Sequence, residues 1–125
     1  MPGVTLDAGA LIALERDDRR VLVLLARARE TGARVTIPAT ALAQVVRAPA
    51  RQVRLARLVR QPTTDVVPLG RVDATSVGRL LAASGTTDIV DAHVVICARR
   101  ATQQVATTDV DDLRVLDPDV RVVHL

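Results

Sequence analysis

Short β-type runs alternate with helical patterns along the whole chain, and this alternation limits its fold more than any other feature. The β-type runs lie at residues 4–6, 34–37, 65–68, 104–108 and 121–124. Helical patterns fill the intervals at 8–15, 18–31, 38–47, 50–60, 72–83 and 88–101. Strands that alternate with helices predict an α/β domain in which helices cover both faces of a mainly parallel sheet.

The size of the chain fits one domain over residues 1–125, and no linker, repeat or low-complexity segment divides it. Hydrophobic residues make up 49% of the sequence, yet no apolar run approaches the ~20 residues of a membrane span. The N-terminal stretch lacks the basic region of a signal peptide. We therefore expect a cytoplasmic protein with no membrane segment.

All 17 cationic residues are arginine, and aromatic residues are absent. The net charge of +3 permits a polyanionic partner, but base stacking on aromatic rings is excluded. Five arginines recur along the 50–60 helix and its entry, among them Arg51 and Arg54. This pattern indicates either an RNA-backbone contact surface beside the functional site or an ordinary solvated helix face.

Aspartates follow the β-type runs and open the later helix. Asp7 and Asp109 each come directly after a run, and Asp88 and Asp91 stand at the start of the 88–101 helix. Because parallel strands present their carboxyl ends at one edge of a sheet, these side chains and Asp112 are expected to be neighbours. Clustered carboxylates repel one another unless a hard divalent cation compensates them. The pattern predicts Mg²⁺ or Mn²⁺ and metal-assisted phosphodiester hydrolysis.

Helix capping is the alternative explanation for three of these residues. Asp88 would be an N-cap, Asp91 would sit at the third helical position, and Asp112 would be a first-turn residue of DVDDLRVL. His93 follows Asp91 by two residues, and such a step points the ring away from that carboxylate by about 200° on a helix. We therefore expect no metal role for His93.

Four ordered stretches, LDAGALIALE, IPATALAQVVR, SGTTDIVDAHVVICAR and VATTDVDDL, resemble the PIN-domain ribonucleases over essentially the whole chain. The likeness is greatest to the VapC toxins of toxin–antitoxin pairs. The resemblance implies a three-layer α/β/α sandwich, a Mg²⁺ or Mn²⁺ site of acidic residues, and endoribonuclease activity. It also implies a VapB-like antitoxin as partner and a homodimer.

The resemblance also assigns site residues. The principal metal ligands fall on Asp7, Asp91 and Asp109, and Asp88 and Asp112 take auxiliary positions.

A second group would contact the substrate or support the ligands. Thr107 or Thr108 would bind a phosphate, a water or a metal-bound carboxylate, as the resemblance implies. Arg51 and Arg54 are the candidate contacts for the RNA backbone.

The sequence departs from the family at Gln44, where members normally carry a glutamate in the helix that follows the proline. Glutamine keeps the shape and one carbonyl oxygen but loses the charge, so cation affinity should fall. The change is compatible with a variant of reduced or altered activity, with a disarmed toxin, or with a site in which Asp88 supplies the missing charge.

Three functions follow, of which the first is favoured. It is a Mg²⁺-dependent endoribonuclease toxin that cleaves RNA with metal-activated water and leaves a 5′-phosphate and a 3′-hydroxyl. The second is a silent PIN domain that binds RNA or antitoxin without cutting, because of Gln44. The third is a receiver-like phosphoryl-transfer domain, which would want a lysine near the site, and the chain has none.

Overall fold

The computed structural model describes residues 3–125, with residue 49 described by its backbone alone. Within that range the chain forms five strands, which are β1 Val4–Leu6, β2 Val35–Pro38, β3 Thr64–Val67, β4 Gln104–Thr107 and β5 Val122–His124. Its seven α-helices are α1 Ala8–Glu15, α2 Arg19–Thr31, α3 Ala39–Val45, α4 Val53–Arg60, α5 Arg71–Ser84, α6 Ile89–Ala101 and α7 Val110–Leu116.

The strands form one parallel sheet in the order β3-β2-β1-β4-β5. The predicted α/β class and parallel sheet are confirmed. The chain moves from β1 outward to β3, then crosses back to β4 and continues to β5. Because crossovers between parallel strands are right-handed, this reversal puts α1, α2 and α4 on one face of the sheet and α5, α6 and α7 on the other.

The core is built from aliphatic side chains of the three central strands and the two helices packed on them. Leu6 of β1, Leu11 of α1, Ile37 of β2 and Val95 of α6 are fully buried. The edge strands β3 and β5 are only partly covered, so the packing is centred on β1, as expected of a sheet with helices on both faces.

Two predicted helices differ from the structure around residue 49. The helix expected over 38–47 ends at Val45, and Pro38 is the last residue of β2 and the N-cap of α3. The helix expected over 50–60 begins at Val53, after a 3₁₀ turn at Pro49–Arg51. From the sequence, the short helix α7 is indicated only by the possible first-turn position of Asp112.

The helix α3 differs from its neighbours because it contacts α1 on one face of the sheet and α6 on the other. It starts where β2 ends, at the carboxyl edge of the sheet. Among residues 3–125 no single helix is long and apolar enough to cross a membrane. The helices α5 and α6 taken together have sufficient length and apolar composition, but a bend of 112° separates them.

Candidate metal centre

Asp7 and Asp109 lie at the point where the strand order reverses. Asp7 follows β1, and Asp109 follows β4 after one intervening residue. The two strands are neighbours in the sheet, with Leu6 paired to Ala106. Their connections leave in opposite directions, which opens a crevice at their carboxyl ends, the usual ligand position in open α/β sheets. The two aspartates therefore follow neighbouring strands at the same edge of the sheet, as the sequence predicts.

Three helices begin at this crevice, and each is capped by an aspartate. Asp7 accepts a hydrogen bond from the Ala10 N–H at 2.8 Å in α1. Asp88 caps α6 by accepting from the Asp91 N–H at 3.0 Å, and Asp109 caps α7 by accepting from the Asp112 N–H at 3.3 Å. Each of these capping bonds uses one lone pair of one carboxylate oxygen, and a carboxylate can accept several further contacts.

Of the five carboxylates, Asp91 and Asp112 cap no helix, and of these two only Asp91 is partly buried. Asp91 lies in the first turn of α6, and within residues 3–125 no hydrogen bond or ion pair reaches its side chain. Burial raises its pKa to about 7, and the charges of Asp88, Asp7, Asp112 and Asp109, in that order, add to the effect. The five predicted aspartates therefore share one electrostatic environment.

The pKa values of two other carboxylates, Asp7 and Asp112, are also raised. Burial raises the pKa of Asp7, and the charge of Asp109 adds to it, while hydrogen bonds from Thr107 and from backbone N–H groups act in the opposite direction. The pKa of Asp112 is raised by its hydrogen bond to Asp109 and by the negative charge of that residue. Among residues 3–125 no arginine forms an ion pair with any of the five aspartates.

Thr107 and Thr108 differ in what they can contact. Thr107 is fully buried, its hydroxyl accepts the Asp109 N–H at 2.9 Å, and it also donates toward Asp7. It therefore supports two carboxylates and is closed to a substrate phosphate. Thr108 is exposed at the rim, so of the two threonines it alone remains a candidate for phosphate contact.

Two features of this edge are not apparent in the sequence. Gly9 allows Thr108 to approach α1, because a Cβ at position 9 would lie 2.4 Å from the Thr108 Oγ1. A cleft of about 280 Å³ also opens beside Asp91, between the loop before α6 and the helix α7. It is lined by Thr86, Thr87, Asp88, Asp91, Asp112, Val115 and Leu116. The glycine after LDA in the sequence is a signal for the close approach of Thr108, whereas no local pattern indicates the cleft beside Asp91.

The donor set suits a hard divalent cation. All the groups are carboxylate or hydroxyl oxygens, and Mg²⁺ takes such ligands while retaining several waters. Among residues 3–125, however, no three acidic, histidine or cysteine side chains converge closely enough to form a closed ligand set. The arrangement therefore fits an open site in which one or two carboxylates, waters and a substrate phosphate would complete the coordination.

Gln44 and the two predicted RNA contacts, Arg51 and Arg54, have different surroundings from the five aspartates. Gln44, near the end of α3, is exposed, and no hydrogen bond joins it to the aspartates in the described part of the chain. Arg54 pairs with Asp17 at 3.0 Å, beyond the far end of α1 from Asp7. That helix is about 12 Å long, so the expectation that Arg54 lies beside the aspartates is wrong. Arg51 is exposed in the turn before α4.

Comparison with known proteins supports the fold. No family model matches the sequence, and no curated protein matches it. A chain of the crystal structure of VapBC2 from Rickettsia felis bound to a DNA fragment from their promoter has a TM-score of 0.71 and 12% identity over 98% of both chains. A chain of FitAcB from Neisseria gonorrhoeae has a TM-score of 0.64 and 17% identity over 97% of this chain and 96% of that one. The protein therefore has a PIN-like α/β fold.

Proposed function

We propose that this protein is a Mg²⁺-dependent endoribonuclease, the toxin of a toxin–antitoxin pair, with Mn²⁺ as an alternative cofactor. The observation that carries the proposal is the group of five aspartates at the β1/β4 crevice. They lie together without a compensating cation, and Asp91 among them has a pKa of about 7. Structural carboxylates are normally paired or capping, so an unpaired one in a crevice is a candidate for function.

The proposed ligands are Asp7, Asp91 and Asp109, with Asp88 and Asp112 as auxiliary groups. A bound Mg²⁺ would supply polarisation of the scissile phosphate and a lowered pKa of a bound water. Asp91 would release its proton when a cation is held, because the cation compensates the charges that raise its pKa. Thr107 would keep Asp7 and Asp109 in register, and Thr108 would face the RNA phosphate.

The partner would be a VapB-like antitoxin. Two solved structures of the same fold, VapBC2 and FitAcB, motivate this proposal, together with the sequence motifs. A homodimer is proposed on the resemblance alone. Co-expression with the reading frame adjacent in the genome tests the partner. We expect a stable complex on size exclusion, and a protein that stays alone contradicts the antitoxin proposal.

RNA cleavage tests the site. With Mg²⁺ and total RNA, Asp7→Asn should reduce cleavage by at least about 100-fold, because asparagine retains the helix cap but loses the charge. Asp18→Asn is the matched control, since Asp18 caps α2 by accepting from the Arg20 N–H at 2.9 Å, outside the crevice. Equal cleavage by wild type and Asp7→Asn would show that the site is assigned to the wrong residues.

A silent PIN domain is the alternative, and Gln44 favours it. A chain that has lost one negative ligand would bind a divalent cation more weakly. Gln44→Glu decides between the two functions. Cleavage only in the glutamate variant supports the silent domain, whereas similar cleavage by both forms supports the nuclease with the aspartates alone. The exposed position of Gln44 makes this substitution compatible with the fold.

A further inference from the structure

A chain of polar side chains runs through the packing between α3, α5 and α6, outside the candidate metal centre. Thr40 of α3 lies with its Oγ1 2.7 Å from the Nδ1 of His93 on α6. The Nε2 of His93 faces the Asp73 carboxylate of α5 at 4.0 Å. Asp73 in turn accepts two hydrogen bonds from the guanidinium of Arg100, also on α6. The four residues therefore join three helices.

Burying the polar ring of His93 at this position costs desolvation free energy. The ring is 0% exposed, and within residues 3–125 its Nε2 makes no well-aligned hydrogen bond. Burial lowers the pKa of His93, while the Asp73 charge and the Pro68 carbonyl act in the opposite direction. The Asp73 charge favours the tautomer with its proton on Nε2, so we assign the Thr40 hydroxyl as the donor to Nδ1. A buried polar group of this kind specifies one arrangement of its neighbours more than it stabilises them.

The polar chain and Asp91 occupy opposite sides of the same helix. His93 follows Asp91 by two residues on α6, so the two side chains point about 200° apart. Arg100 is seven residues beyond His93 and shares its face of the helix. One side of α6 is therefore held by α3 and α5, and the other carries Asp91 toward Asp7, Asp109 and Asp112.

We propose that Thr40 and His93 are positioning residues, which fix the rotation of α6 about its axis and thereby aim Asp91 at the other carboxylates. The inference rests on the proposed divalent-cation site. The helix α3 suits this role because it contacts the helices of both faces of the sheet and starts at the carboxyl edge. A small rotation of α6 moves the Asp91 carboxylate across the crevice, because that side chain extends from the helix surface.

The test is the affinity for Mn²⁺, measured by calorimetry on the full chain. Thr40→Val keeps the shape but removes the donor, and it should weaken Mn²⁺ binding about tenfold, by analogy with other groups that orient metal ligands indirectly. Thr40→Ser retains the hydroxyl and should restore binding to within about twofold of wild type. Val21→Ala removes buried volume from α2 and controls for a general loss of stability, and it should leave the affinity unchanged.

Each outcome decides the proposal. Wild-type affinity in Thr40→Val overturns it, and so does an equal loss in Thr40→Val and Val21→Ala. If the wild-type protein binds no Mn²⁺, the proposed metal function fails separately. The carboxylate ¹³C resonances of Asp7 and Asp91 in the metal-free protein then decide the positioning role. Shifts in Thr40→Val that Thr40→Ser lacks support the role, and unchanged resonances overturn it.

Discussion

Two buried or partly buried carboxylates associated with α6 have opposite environments. Asp73 of α5 is 6% exposed, and Arg100 covers it with two hydrogen bonds that lower the pKa of the carboxyl. Asp91 on α6 has no cation beside it, and burial with four negative neighbours raises its pKa to about 7. One side of α6 therefore faces a neutralised carboxylate of α5, and the other side carries an uncompensated carboxylate of its own.

The difference separates a structural group from a functional candidate. Arg100 is half exposed, so the Asp73 pair is completed at moderate desolvation cost and needs no further ligand. Nothing within the described residues completes Asp91 in this way. Crowded carboxylates without a cation are retained at a cost in stability, which a divalent ion would remove on binding.

The largest expected change in the free energy of unfolding comes from removing the charge of Asp73, which Arg100 compensates. Asp73→Asn should lower the free energy of unfolding by about 3 kcal/mol, because Arg100 and His93 both lose their partner. Urea denaturation at pH 7 measures the loss.

Asp65→Asn is the matched control, since Arg34 binds Asp65 through two hydrogen bonds in a pair that is about half exposed on both sides. Its loss should cost at most about 1 kcal/mol. Equal losses in the two variants would show that burial does not distinguish the pairs.

Removing the uncompensated charge should have the opposite sign. Asp91→Asn is expected to stabilise the metal-free protein by about 2 kcal/mol at pH 8, after allowance for solvent screening. The folded pKa of about 7 exceeds the unfolded value of 3.8, so the folded state binds more protons between these values. The stability of the wild type therefore falls as pH rises from about 4 to about 7, and the variant lacks that fall.

Urea denaturation at pH 8 and at pH 3.5 measures this difference, with the advantage of Asp91→Asn vanishing at the lower pH. The advantage at pH 8 should also shrink when Mn²⁺ is added, because the cation stabilises only the wild type. A variant that is less stable than wild type at pH 8 would contradict the view that Asp91 is uncompensated.

A smaller effect concerns the packing beside Asp7. Gly9→Ala should lower stability by about 0.5 kcal/mol, because the new Cβ would lie 2.4 Å from the Thr108 Oγ1 and displace that side chain. Gly78→Ala in the interior of α5 meets no atom within 4 Å and should gain about 0.5 kcal/mol from helix propensity. Thermal denaturation compares the two, and equal gains would show that Thr108 moves aside freely.

Much of the fold could be predicted because its signals are local. Alternation of strands and helices predicts the parallel sheet, and Asp7 and Asp109 are predicted at strand ends because each directly follows a β-type run. The ends of α3 and α4 were less accurate. Residues 46–52 form a turn whose course depends on Gln52, which accepts the Arg47 N–H at 3.0 Å and donates to the Val45 carbonyl at 3.0 Å.

The candidate site was predictable in its members but not in its arrangement. From the sequence, capping and clustering are alternative explanations for Asp88, yet in the structure Asp88 caps α6 and its charge also raises the pKa of Asp91. The sequence leaves Arg54 either on an RNA-contact surface beside the aspartates or on a solvated helix face, because a helix pattern carries no information on direction in space. The partner of Arg54, Asp17, beyond the end of α1, determines where that arginine lies.

The sequence by itself determined the class of fold and the acidic character of the crevice, because periodicity and the residues at strand ends are local features. It also determined the absence of aromatic contacts, because the composition contains no aromatic residue. Only the tertiary structure decided which carboxylate remains uncompensated. Asp73 and Asp91 are both aspartates near a helix start, and nothing local distinguishes them. Arg100 of α6 lies 27 residues after Asp73 in the chain and pairs with it on one side of the helix. Asp7 and Asp109 follow strands that are distant in sequence, and they lie near Asp91 on the other side.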